Sequence, residues 1–496
     1  MKNFYITSTL PYTNSDPHIG FALEIIQTDV IARYHRQLGE QVFFNTGTDE
    51  HGVKIYNKAI EAGLGIQSYV DKYASRFQDL MKVLNISNDV FVRTTNPKHI
   101  GAAQEFWNRC LKAGDIYKTT YKIKYCTGCE LEKTDSELEN GKCTLHPNLI
   151  IEEREEENYF FKFSKYQKQL LDLYKTKSDF VLPDFRFNEI KKFVEGGLRD
   201  FSISRLKEKM PWGVPVPNDP EHVMFVWFDA LIGYISSLGW PEKLESFNDF
   251  WPGVQTAGKD NLRQQSAIWQ AMLMSADLPN SKQILIHGFI NIDGQKMSKS
   301  LGNVTDPFVF VEKYCADVVR YFLLREIPSD EDGDFSEQKL IARYNGDLAN
   351  GLGNLVSRVA TLIDNNLPDG ITYEAKLIEQ NTKSSIQDTL TKYQAGIENF
   401  KLHESLIAIW ELIAYADKYV NDTKPWVLVK EDKDKFLGVM NNLVELIYHI
   451  SNSLKPFMPE TSDKISKIFD FKKEEGILDG RKLNIKKGAV LFPRLY

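Results

Sequence analysis

The stretch "LPYTNSDPHIGF", residues 10–21, marks the point where a strand-like segment turns into a helix. An apolar segment, residues 4–10, comes before it, and Gly39 follows the helical pattern. Apolar residues recur at helical spacing from the end of the stretch onward: Ile19, Leu23, Ile26, Val30, Tyr34 and Leu38. This spacing predicts a helix over residues 18–38. His18 and Gly20 then lie at a helix N-terminus, where unpaired N–H groups and the positive end of the dipole favour phosphate.

The pattern beyond this helix continues to alternate strands and helices. The apolar run "QVFFNT" leads into "GTDEHG", residues 47–52, and another helical pattern begins near Val53. Such alternation predicts an α/β fold with a parallel, doubly wound sheet, in which ligands collect at the carboxyl ends of the strands. His18 and Asp49 both follow strand ends, so we expect both to face that edge.

Length and composition describe an ordinary globular protein. The 496 residues are too many for one core, and 42% apolar with 26% charged residues is typical of such proteins. The net charge of −7 excludes a wholly basic nucleic-acid-binding protein but allows a local RNA-binding patch. We expect a cytoplasmic protein with no membrane span, because the N-terminus lacks a signal-peptide pattern and Asp229 interrupts the most apolar run.

Three of the five cysteines cluster in a pattern typical of a metal site. Cys126-x-x-Cys129 is followed by Cys143-x-x-His146. Three thiolates and one imidazole suit tetrahedral zinc, and four protein ligands leave no open coordination position. We therefore predict one structural Zn²⁺ per chain. The alternative, three buried cysteines without a metal, is less favoured at this spacing.

A further motif, "GQKMSKS" at residues 294–300, is cationic. Lys296 and Lys299 are compact charges suited to phosphate oxygens, and Gly294 gives the loop freedom to move. Taken singly, this motif also fits an exposed basic turn, and His18 fits a helix-capping residue. Their presence together in one α/β chain favours a nucleotide site. Neither of the common glycine-rich phosphate-binding patterns occurs at a strand–helix junction.

With these motifs in place, the chain resembles the class I aminoacyl-tRNA synthetases and, within that class, the methionyl-tRNA synthetases. The matching stretches lie in order over residues 10–358, with "KPW" at 424–426: "LPYTNSDPHIG", "GTDEHG", "YCTGCE…KCTLH", "DFSISR", "VWFDALIGY", "GKD", "HGF", "KMSKSLGNV" and "LANGLGNLVSR". The resemblance implies a Rossmann-type nucleotide-binding domain with a zinc-binding insertion, followed by an all-α helix-bundle anticodon-binding domain.

The resemblance also implies a division of the chain into five segments. They are the first half of the Rossmann domain (1–115), a connective insertion with a zinc knuckle (116–220), the second Rossmann half (221–290), the Lys-Met-Ser-Lys-Ser loop with a stem-contact region (291–345), and the anticodon-binding bundle (346–496). The insertion is too short for the editing domain of the isoleucine, valine and leucine enzymes. A synthetase specific for cysteine would instead carry its zinc in the amino-acid pocket.

The implied activity is ATP-dependent joining of methionine to tRNA, with Mg²⁺ accompanying ATP. The expected catalytic residues are His18, Lys296 and Lys299. The expected ATP-binding residues are Gly20, Glu24, Asp260, His287 and Lys299. Their work is positioning and charge stabilisation at the phosphates more than acid–base catalysis.

The implied methionine pocket has aromatic and apolar walls and one carboxylate for the ammonium group. Its residues are Leu10, Tyr12, Asp49, Trp227, Ala230, Tyr234 and Gln265. The spacing of Trp227, Ala230 and Tyr234 predicts that they share one helical face. A core aromatic stripe would give the same spacing, but the surrounding motifs favour the pocket. A thioether offers only polarizability and a weak acceptor, which suits such walls.

Two positions depart from the family pattern. Phe21 stands where many members have a second histidine, and Gln265 stands where many have a histidine in the pocket. Phenylalanine cannot bond a phosphate, and glutamine lacks the charge switching of histidine. A second hypothesis is therefore a catalytically weakened paralogue that acts as a tRNA-binding or regulatory protein. Intact "KMSKS" and Asp49 favour the enzyme.

RNA contacts are expected in the C-terminal bundle. Asn354 and Arg358 lie four residues apart on one predicted helix, and Trp426 follows Pro425 near a helix boundary. Amide, guanidinium and indole groups suit the reading of unpaired bases, although an exposed arginine, a capping asparagine and a packing tryptophan are ordinary alternatives. The resemblance assigns all three to the anticodon of initiator and elongator tRNA(Met). We expect a monomer.

Overall fold

The computed structural model describes residues 2–129, 131–133, 138–297, 304–471 and 479–495. They group into two compact units. The first unit contains residues 1–16, 41–79 and 88–286, and the second contains residues 17–40, 80–87 and 287–496. Within the described residues, no helix has both the length and the apolar character that crossing a membrane requires.

The first part of the chain alternates strands and helices, as predicted. In chain order its elements are β1 (Asn3–Thr7), α1 (Ile19–Gln37), β2 (Gln41–Thr48), α2 (Val53–Glu61), α3 (Ile66–Val83), β3 (Val90–Arg93) and α4 (Pro97–Lys112). The helix predicted over 18–38 is confirmed as α1, with His18 as its N-cap. The strand expected over 4–10 is shorter and ends at Thr7.

The following segment contains the cysteine motif and forms small antiparallel sheets. Its elements are β4 (Ile116–Cys126), β5 (Leu131–Glu132), β6 (Leu138–Glu139), β7 (Lys142–Cys143), β8 (Glu152–Phe161), α5 (Gln167–Thr176), β9 (Val181–Leu182), α6 (Asp184–Glu195), β10 (Phe201–Ser202), β11 (Ser204–Leu206), β12 (Pro215–Val216) and β13 (Asp219–Met224). β4 and β8 pair antiparallel along ten residues, from Ile116 opposite Phe161 to Tyr125 opposite Glu152.

The α/β pattern then resumes. Its elements are α7 (Val226–Ala230), α8 (Gly233–Ser236), α9 (Leu244–Phe250), β14 (Val254–Gly258), α10 (Trp269–Ser275), β15 (Gln283–His287), β16 (Ile290–Ile292) and β17 (Gln295–Lys296). The main sheet has the order β3-β2-β1-β14-β15-β9. Strand β1 is parallel to β2 and β14, and β15 is parallel to β9. The predicted parallel sheet is thus confirmed, and β9, from within residues 116–220, extends it.

The remainder is mostly helical, as predicted. Its elements are α11 (Pro307–Tyr314), α12 (Ala316–Glu326), β18 (Gly333–Phe335), α13 (Glu337–Arg343), α14 (Asn354–Asn366), β19 (Ile371–Thr372), α15 (Gln380–Glu398), α16 (Leu402–Thr423), α17 (Pro425–Glu431), α18 (Lys433–Leu454), α19 (Pro459–Ile468) and β20 (Lys482–Leu483). The apolar face of α16 is buried in the bundle at Leu402, Leu406, Ile409, Ile413 and Val420.

A buried ion pair holds α1 within the second unit. Nη2 of Arg320 lies 2.8 Å from Oδ2 of Asp29, and both side chains are fully buried. The same guanidinium donates to the carbonyl oxygens of Leu84, Pro456 and Phe457. Burial alone would raise the pKa of Asp29, but the attraction of Arg320 and Arg33 lowers it below its usual value. Losing one partner of such a pair costs about 3–5 kcal/mol, so α1 has a firm anchor.

Two segments of wide π-helix lie beside predicted site residues. One covers Gln264–Ile268 and leads directly into α10. The other covers Tyr344–Gly353 and leads directly into α14. π-Turns inside helices are rare and concentrate at functional sites. The first segment carries Gln265, and the second places Asn354 at the first position of α14.

Candidate functional site

At the start of α1 the backbone N–H groups already have acceptors, since Ile19 donates to the carbonyl oxygen of Thr305 and Phe21 donates to that of His18. The backbone N–H of Gly20 donates to Nδ1 of His18 at 3.1 Å. Because Nδ1 accepts this bond, the neutral ring carries its proton on Nε2, which is a hydrogen-bond donor. His18 therefore does cap the helix, which is the simpler of its two predicted roles. The capping bond also fixes the tautomer that can donate to a phosphate oxygen.

Gly20 provides room between two motifs. A Cβ added at Gly20 would lie 3.0 Å from ring atoms of His18 and 3.3 Å from Cε of Met297. The histidine motif and the beginning of the Lys-Met-Ser-Lys-Ser loop are thus neighbours in the second unit. The backbone of Lys296 pairs with Asn291 in the β16–β17 hairpin. The Lys296 side chain and the whole of Lys299 lie outside the described residues.

Two of the expected nucleotide residues form a buried pair. Oε2 of Glu24 lies 2.9 Å from Nε2 of His287, and the two residues are 5% and 6% exposed. Nδ1 of His287 lies 2.7 Å from the carbonyl oxygen of Gly288. Both ring nitrogens therefore face oxygen acceptors, an arrangement that an imidazolium ion satisfies. Asp260, the third of these residues, is exposed in the short turn Lys259–Asn261 of the first unit.

Asp49 is fixed to the segment that carries Tyr12. Its N–H donates to the carbonyl oxygen of Pro11 at 3.0 Å, and its own carbonyl oxygen accepts from the N–H of Thr13 at 3.1 Å. Tyr12 and Asp49 thereby form an isolated parallel bridge. Asp49 is 4% exposed. The bridge places a buried carboxylate beside an aromatic side chain, which suits an ammonium ligand with an apolar tail.

Leu10 packs against the start of α8. A Cβ added at Gly233 would come within 2.5 Å of Cδ1 of Leu10, so a side chain at this position would force Leu10 to shift. Tyr234 is the next residue and is 3% exposed. Leu10 and Tyr234, which are 224 positions apart in the chain, therefore lie in one neighbourhood.

Gln265 bonds directly to Tyr234. Its Nε2 donates to Oη of Tyr234 at 2.6 Å, and its Oε1 accepts from Nε2 of Gln255 at 3.2 Å. Oε1 of Gln255 in turn accepts from Oγ of Ser281 at 2.5 Å. Gln265 is thus an amide held by another amide and by hydroxyl groups. None of these groups titrates near neutral pH.

The helix predicted through Trp227, Ala230 and Tyr234 is in fact two short helices. Ala230 ends α7, and Tyr234 lies in α8. Between them the N–H of Ile232 bonds to the carbonyl oxygen of Asp229, three residues back, so the tighter 3₁₀-type pattern interrupts the α-helix. The three residues therefore do not lie on one uninterrupted α-helix. Nε1 of Trp227 is buried without a hydrogen-bond partner among the described residues.

Sequence reasoning missed several buried polar residues beside this pocket. Asp229 lies between Trp227 and Ala230 and bonds to two histidines, His51 and His99. Arg205, the last residue of "DFSISR", is 6% exposed and stacks 4.2 Å from the ring of Phe225, which caps α7. The signal was present for Asp229, because a charged residue inside an apolar run marks a buried polar contact.

The four predicted metal ligands converge. The ligand atoms of Cys126, Cys129, Cys143 and His146 all lie within 4.8 Å of one another. Sγ of Cys129 lies 3.3 Å from Sγ of Cys143 and 3.2 Å from Nδ1 of His146. A tetrahedron with metal–sulfur bonds of about 2.3 Å has edges of about 3.7 Å, close to these separations. The cluster can hold a metal ion.

The predicted RNA-reading residues lie close together in the bundle. The Cζ atom of Arg358 lies 4.8 Å from the ring centre of Trp426, which is 41% exposed. Nη1 of Arg358 donates to Oδ1 of Asn421 on α16 at 2.9 Å. Asn354 is exposed one turn earlier on α14. A guanidinium stacked on an exposed indole offers both charge and an aromatic face to an unpaired base.

Comparison with known proteins agrees with this architecture. A family model described as class I (M) tRNA synthetases matches residues 4–145 and 131–360, which places the chain in class I. A second, described as the anticodon-binding domain of methionyl-tRNA ligase, matches residues 367–484. The chain belongs to the methionyl-tRNA synthetase family of that class.

The similarity extends over nearly the whole chain. The methionine–tRNA ligase of Thermotoga maritima is 44% identical over 480 residues, 95% of this chain and 76% of the relative. That of Clostridium acetobutylicum is 40% identical over 507 residues, 100% of this chain and 78% of the relative. A Mycobacterium tuberculosis methionyl-tRNA synthetase, solved with methionyl-adenylate, superposes with a TM-score of 0.94 at 36% identity and full coverage of both chains.

Proposed function

We propose that the residues described above carry out the family's reaction in this chain. The chain acts as a methionine–tRNA ligase: methionine and ATP give methionyl-adenylate and diphosphate, and the methionyl group then passes to the 3′ end of tRNA. One observation supports the pocket assignment above the others. Contacts or closeness in the chain link Asp49, Tyr12, Leu10, Tyr234 and Gln265 in one neighbourhood, and Asp49, Tyr234 and Gln265 are buried there.

In the activation step a methionine carboxylate oxygen attacks the α-phosphorus of ATP. The new P–O bond forms as the bond to the diphosphate breaks, and negative charge grows on the leaving group. Nε2–H of His18, the N-terminus of α1, Lys296 and Lys299 stabilise that charge. Mg²⁺ bound with ATP supplies further positive charge to the phosphates. Gly20 leaves room for the nucleotide, and Glu24, His287 and Asp260 contact its nucleoside part.

Methionine recognition depends on one charge contact and on apolar walls. The Asp49 carboxylate binds the ammonium group. Leu10, Tyr12, Trp227 and Ala230 enclose the side chain, and Tyr234, held by Gln265, faces the thioether. Because the thioether offers only polarizability and a weak acceptor, selectivity depends on how rigidly these walls are held.

We assign zinc to the cluster of Cys126, Cys129, Cys143 and His146. Three thiolates and one imidazole at these separations suit Zn²⁺, and four protein ligands give a structural role. Replacing Cys129 with serine should reduce the bound zinc below one per chain and lower the melting temperature. Zinc analysis of the purified protein tests this directly, and a metal-free protein of unchanged stability contradicts it.

The bundle reads the anticodon of initiator and elongator tRNA(Met) through Asn354, Arg358 and Trp426. The match of a family model for this domain supports RNA binding there, and the stacked pair of Arg358 and Trp426 supports the choice of residues. The remaining expectations are a monomer, a cytoplasmic location and the division into five segments given above.

The deciding experiment is methionine-dependent ATP–diphosphate exchange on the zinc-loaded protein, beside the Phe21→His variant. Phe21 is 8% exposed and follows the capping histidine by three positions. Ready exchange by the unmodified protein supports the ligase and shows that one signature histidine suffices. Recovery of exchange only in Phe21→His identifies a weakened synthetase. Silence of both with methionine contradicts the proposed function.

A further inference from the structure

Among the motif residues that the activation chemistry does not use are His51 of "GTDEHG" and Asp229 of "VWFDALIGY". The structure joins them. Nδ1 of His51 lies 2.5 Å from Oδ2 of Asp229, and Oδ1 of Asp229 lies 2.7 Å from Nε2 of His99. Nδ1 of His99 lies 2.9 Å from Oγ of Ser236. One carboxylate thus bridges two histidines from separate parts of the sequence, and a serine continues the chain of bonds.

This cluster is completely enclosed in the first unit. Asp229 is 0% exposed, His99 is 1% and His51 is 3%. The edge of Trp212 packs against the His51 ring with centroids 5.7 Å apart. Burial by itself raises the pKa of Asp229, but the two imidazoles outweigh it and lower the pKa to about 2. The carboxylate is therefore charged at working pH, and its bonds to the rings are charge-assisted and strong.

Each member of the cluster adjoins a different part of the proposed methionine pocket. His51 follows Asp49 by two positions, and Asp229 lies between Trp227 and Ala230. Ser236, which His99 contacts from α4, follows Tyr234 by two positions. The ammonium-binding carboxylate, α7 and α8 are thus fastened to one another by a single buried carboxylate. α7 and α8 together span only eleven residues, so such short helices need external fixing.

We propose that Asp229, with His51 and His99, is a positioning cluster that sets the distance between Asp49 and the apolar walls of the methionine pocket. This inference rests on the proposed function. The cluster does not touch the reacting atoms. It determines methionine affinity and selectivity by holding the walls that do, while ATP binding is independent of it.

A purely structural role for these residues predicts no specific change in the methionine KM. In that case, loss of Asp229 lowers stability but leaves the Michaelis constants alone in whatever protein remains folded. Asp115 provides a matched control in the same unit. It is 0% exposed and accepts hydrogen bonds from Tyr166 at 2.5 Å and from Ser275 at 2.9 Å.

The test compares Asp229→Asn with Asp115→Asn in ATP–diphosphate exchange, with thermal melts of both. A displacement of pocket walls by about 1 Å is enough to change rates by about 100-fold, so we expect at least about a 10-fold rise in the methionine KM of Asp229→Asn. The ATP KM should stay within about 2-fold of the unmodified value. Asp115→Asn should lower the melting temperature without separating the two constants. An unchanged methionine KM, or equal changes in both constants, overturns the proposal.

A second pair of variants covers the case in which Asp229→Asn does not fold. Asparagine places its amide nitrogen two bonds from Cβ, as Nδ1 of histidine is placed, so His51→Asn keeps a donor for Asp229. His51→Leu removes it. We expect a near-normal methionine KM in His51→Asn and a raised one in His51→Leu; equal constants in the two variants count against the cluster. If the unmodified protein shows no exchange, the proposed function fails; ready exchange without this split refutes only the cluster.

Discussion

The proposed methionine pocket and the proposed anticodon residues are built in opposite ways. Asp49, Tyr234 and Gln265 are 4%, 3% and 2% exposed, and hydrogen bonds fix each of them. Trp426 is 41% exposed and Arg358 lies over its ring. The proposed pocket residues are linked by mutual contacts, whereas Trp426 is exposed at the surface of the bundle and Arg358 beside it is partly exposed.

The difference follows from what each ligand brings. Methionine offers one ammonium, one carboxylate and a thioether, so the protein must supply the shape and must hold it rigidly. An unpaired base brings a flat face and several hydrogen-bonding groups, so a stacked cation and a few polar side chains suffice. We therefore expect substitutions in the pocket to act on amino-acid activation, and substitutions in the bundle to act only on tRNA charging.

The largest effect should come from Asp49→Asn. Asparagine is nearly isosteric, and the backbone bridge to Tyr12 uses no side-chain atom, so the fold should survive. Loss of a buried carboxylate that faces an ammonium group should cost about 3–5 kcal/mol of binding, or roughly 1,000-fold in kcat/KM for methionine. ATP–diphosphate exchange at varied methionine measures it. A loss below about 10-fold would mean that Asp49 does not bind the ammonium group.

Arg358→Ala should have the next largest effect, and this effect should appear only in the transfer of methionine to tRNA. Removal of the stacked guanidinium should lower kcat/KM for tRNA(Met) by about 10- to 100-fold, since stacking and cation contacts are each worth about 1–3 kcal/mol. Exchange in the absence of tRNA should be unchanged. Arg343→Ala is a suitable control, because Arg343 pairs with Glu326 and Asp347 on the same unit. Equal loss in both variants would point to a general charge effect.

Gln265→Leu tests the pocket's network of amides and hydroxyls. Leucine keeps the approximate volume but leaves Gln255 without its 3.2 Å partner and Tyr234 without its 2.6 Å donor. Two lost buried bonds predict about a 10-fold rise in the methionine KM. Gln265→His should raise it less, because histidine can still donate to Tyr234 in one tautomer. If Gln265→Leu and Gln265→His raise the methionine KM equally, the hydrogen bond to Tyr234 does not determine methionine binding.

The sequence predicted the fold well and the site partly. The period of α1, the parallel sheet and the four converging metal ligands follow local rules of spacing, so they could be predicted. The break between α7 and α8, and the bond from Asp229 to His51, depend on which residues meet across 178 positions. No local pattern contains that pairing. The aspartate inside an apolar run was a signal of buried polarity but not of its partners.

The smallest effect concerns Asp417, on α16 near Arg358. Oδ1 of Asp417 is buried without a hydrogen-bond partner among the described residues. Burial raises the pKa of this carboxyl to about 6, although Arg358 pulls it down. The open bundle surface therefore contains one group that is not well satisfied, in contrast to the pocket, where Asp229 is fully bonded.

A carboxyl whose pKa is higher in the folded state than in the unfolded state lowers the free energy of unfolding when it is charged. Below the unfolded pKa of about 4 the group is neutral in both states and costs nothing. As the pH rises from about 4 to about 6, a penalty develops, and it stays constant above that. The half-exposed position reduces it to about 1 kcal/mol. Asp417→Asn should therefore raise the melting temperature at pH 8, with a gain that shrinks toward pH 5, while Asp422→Asn, whose carboxylate pairs with Lys418 at 2.6 Å, shows no such gain. A gain independent of pH would assign the effect to packing and leave the bundle surface without a strained charge.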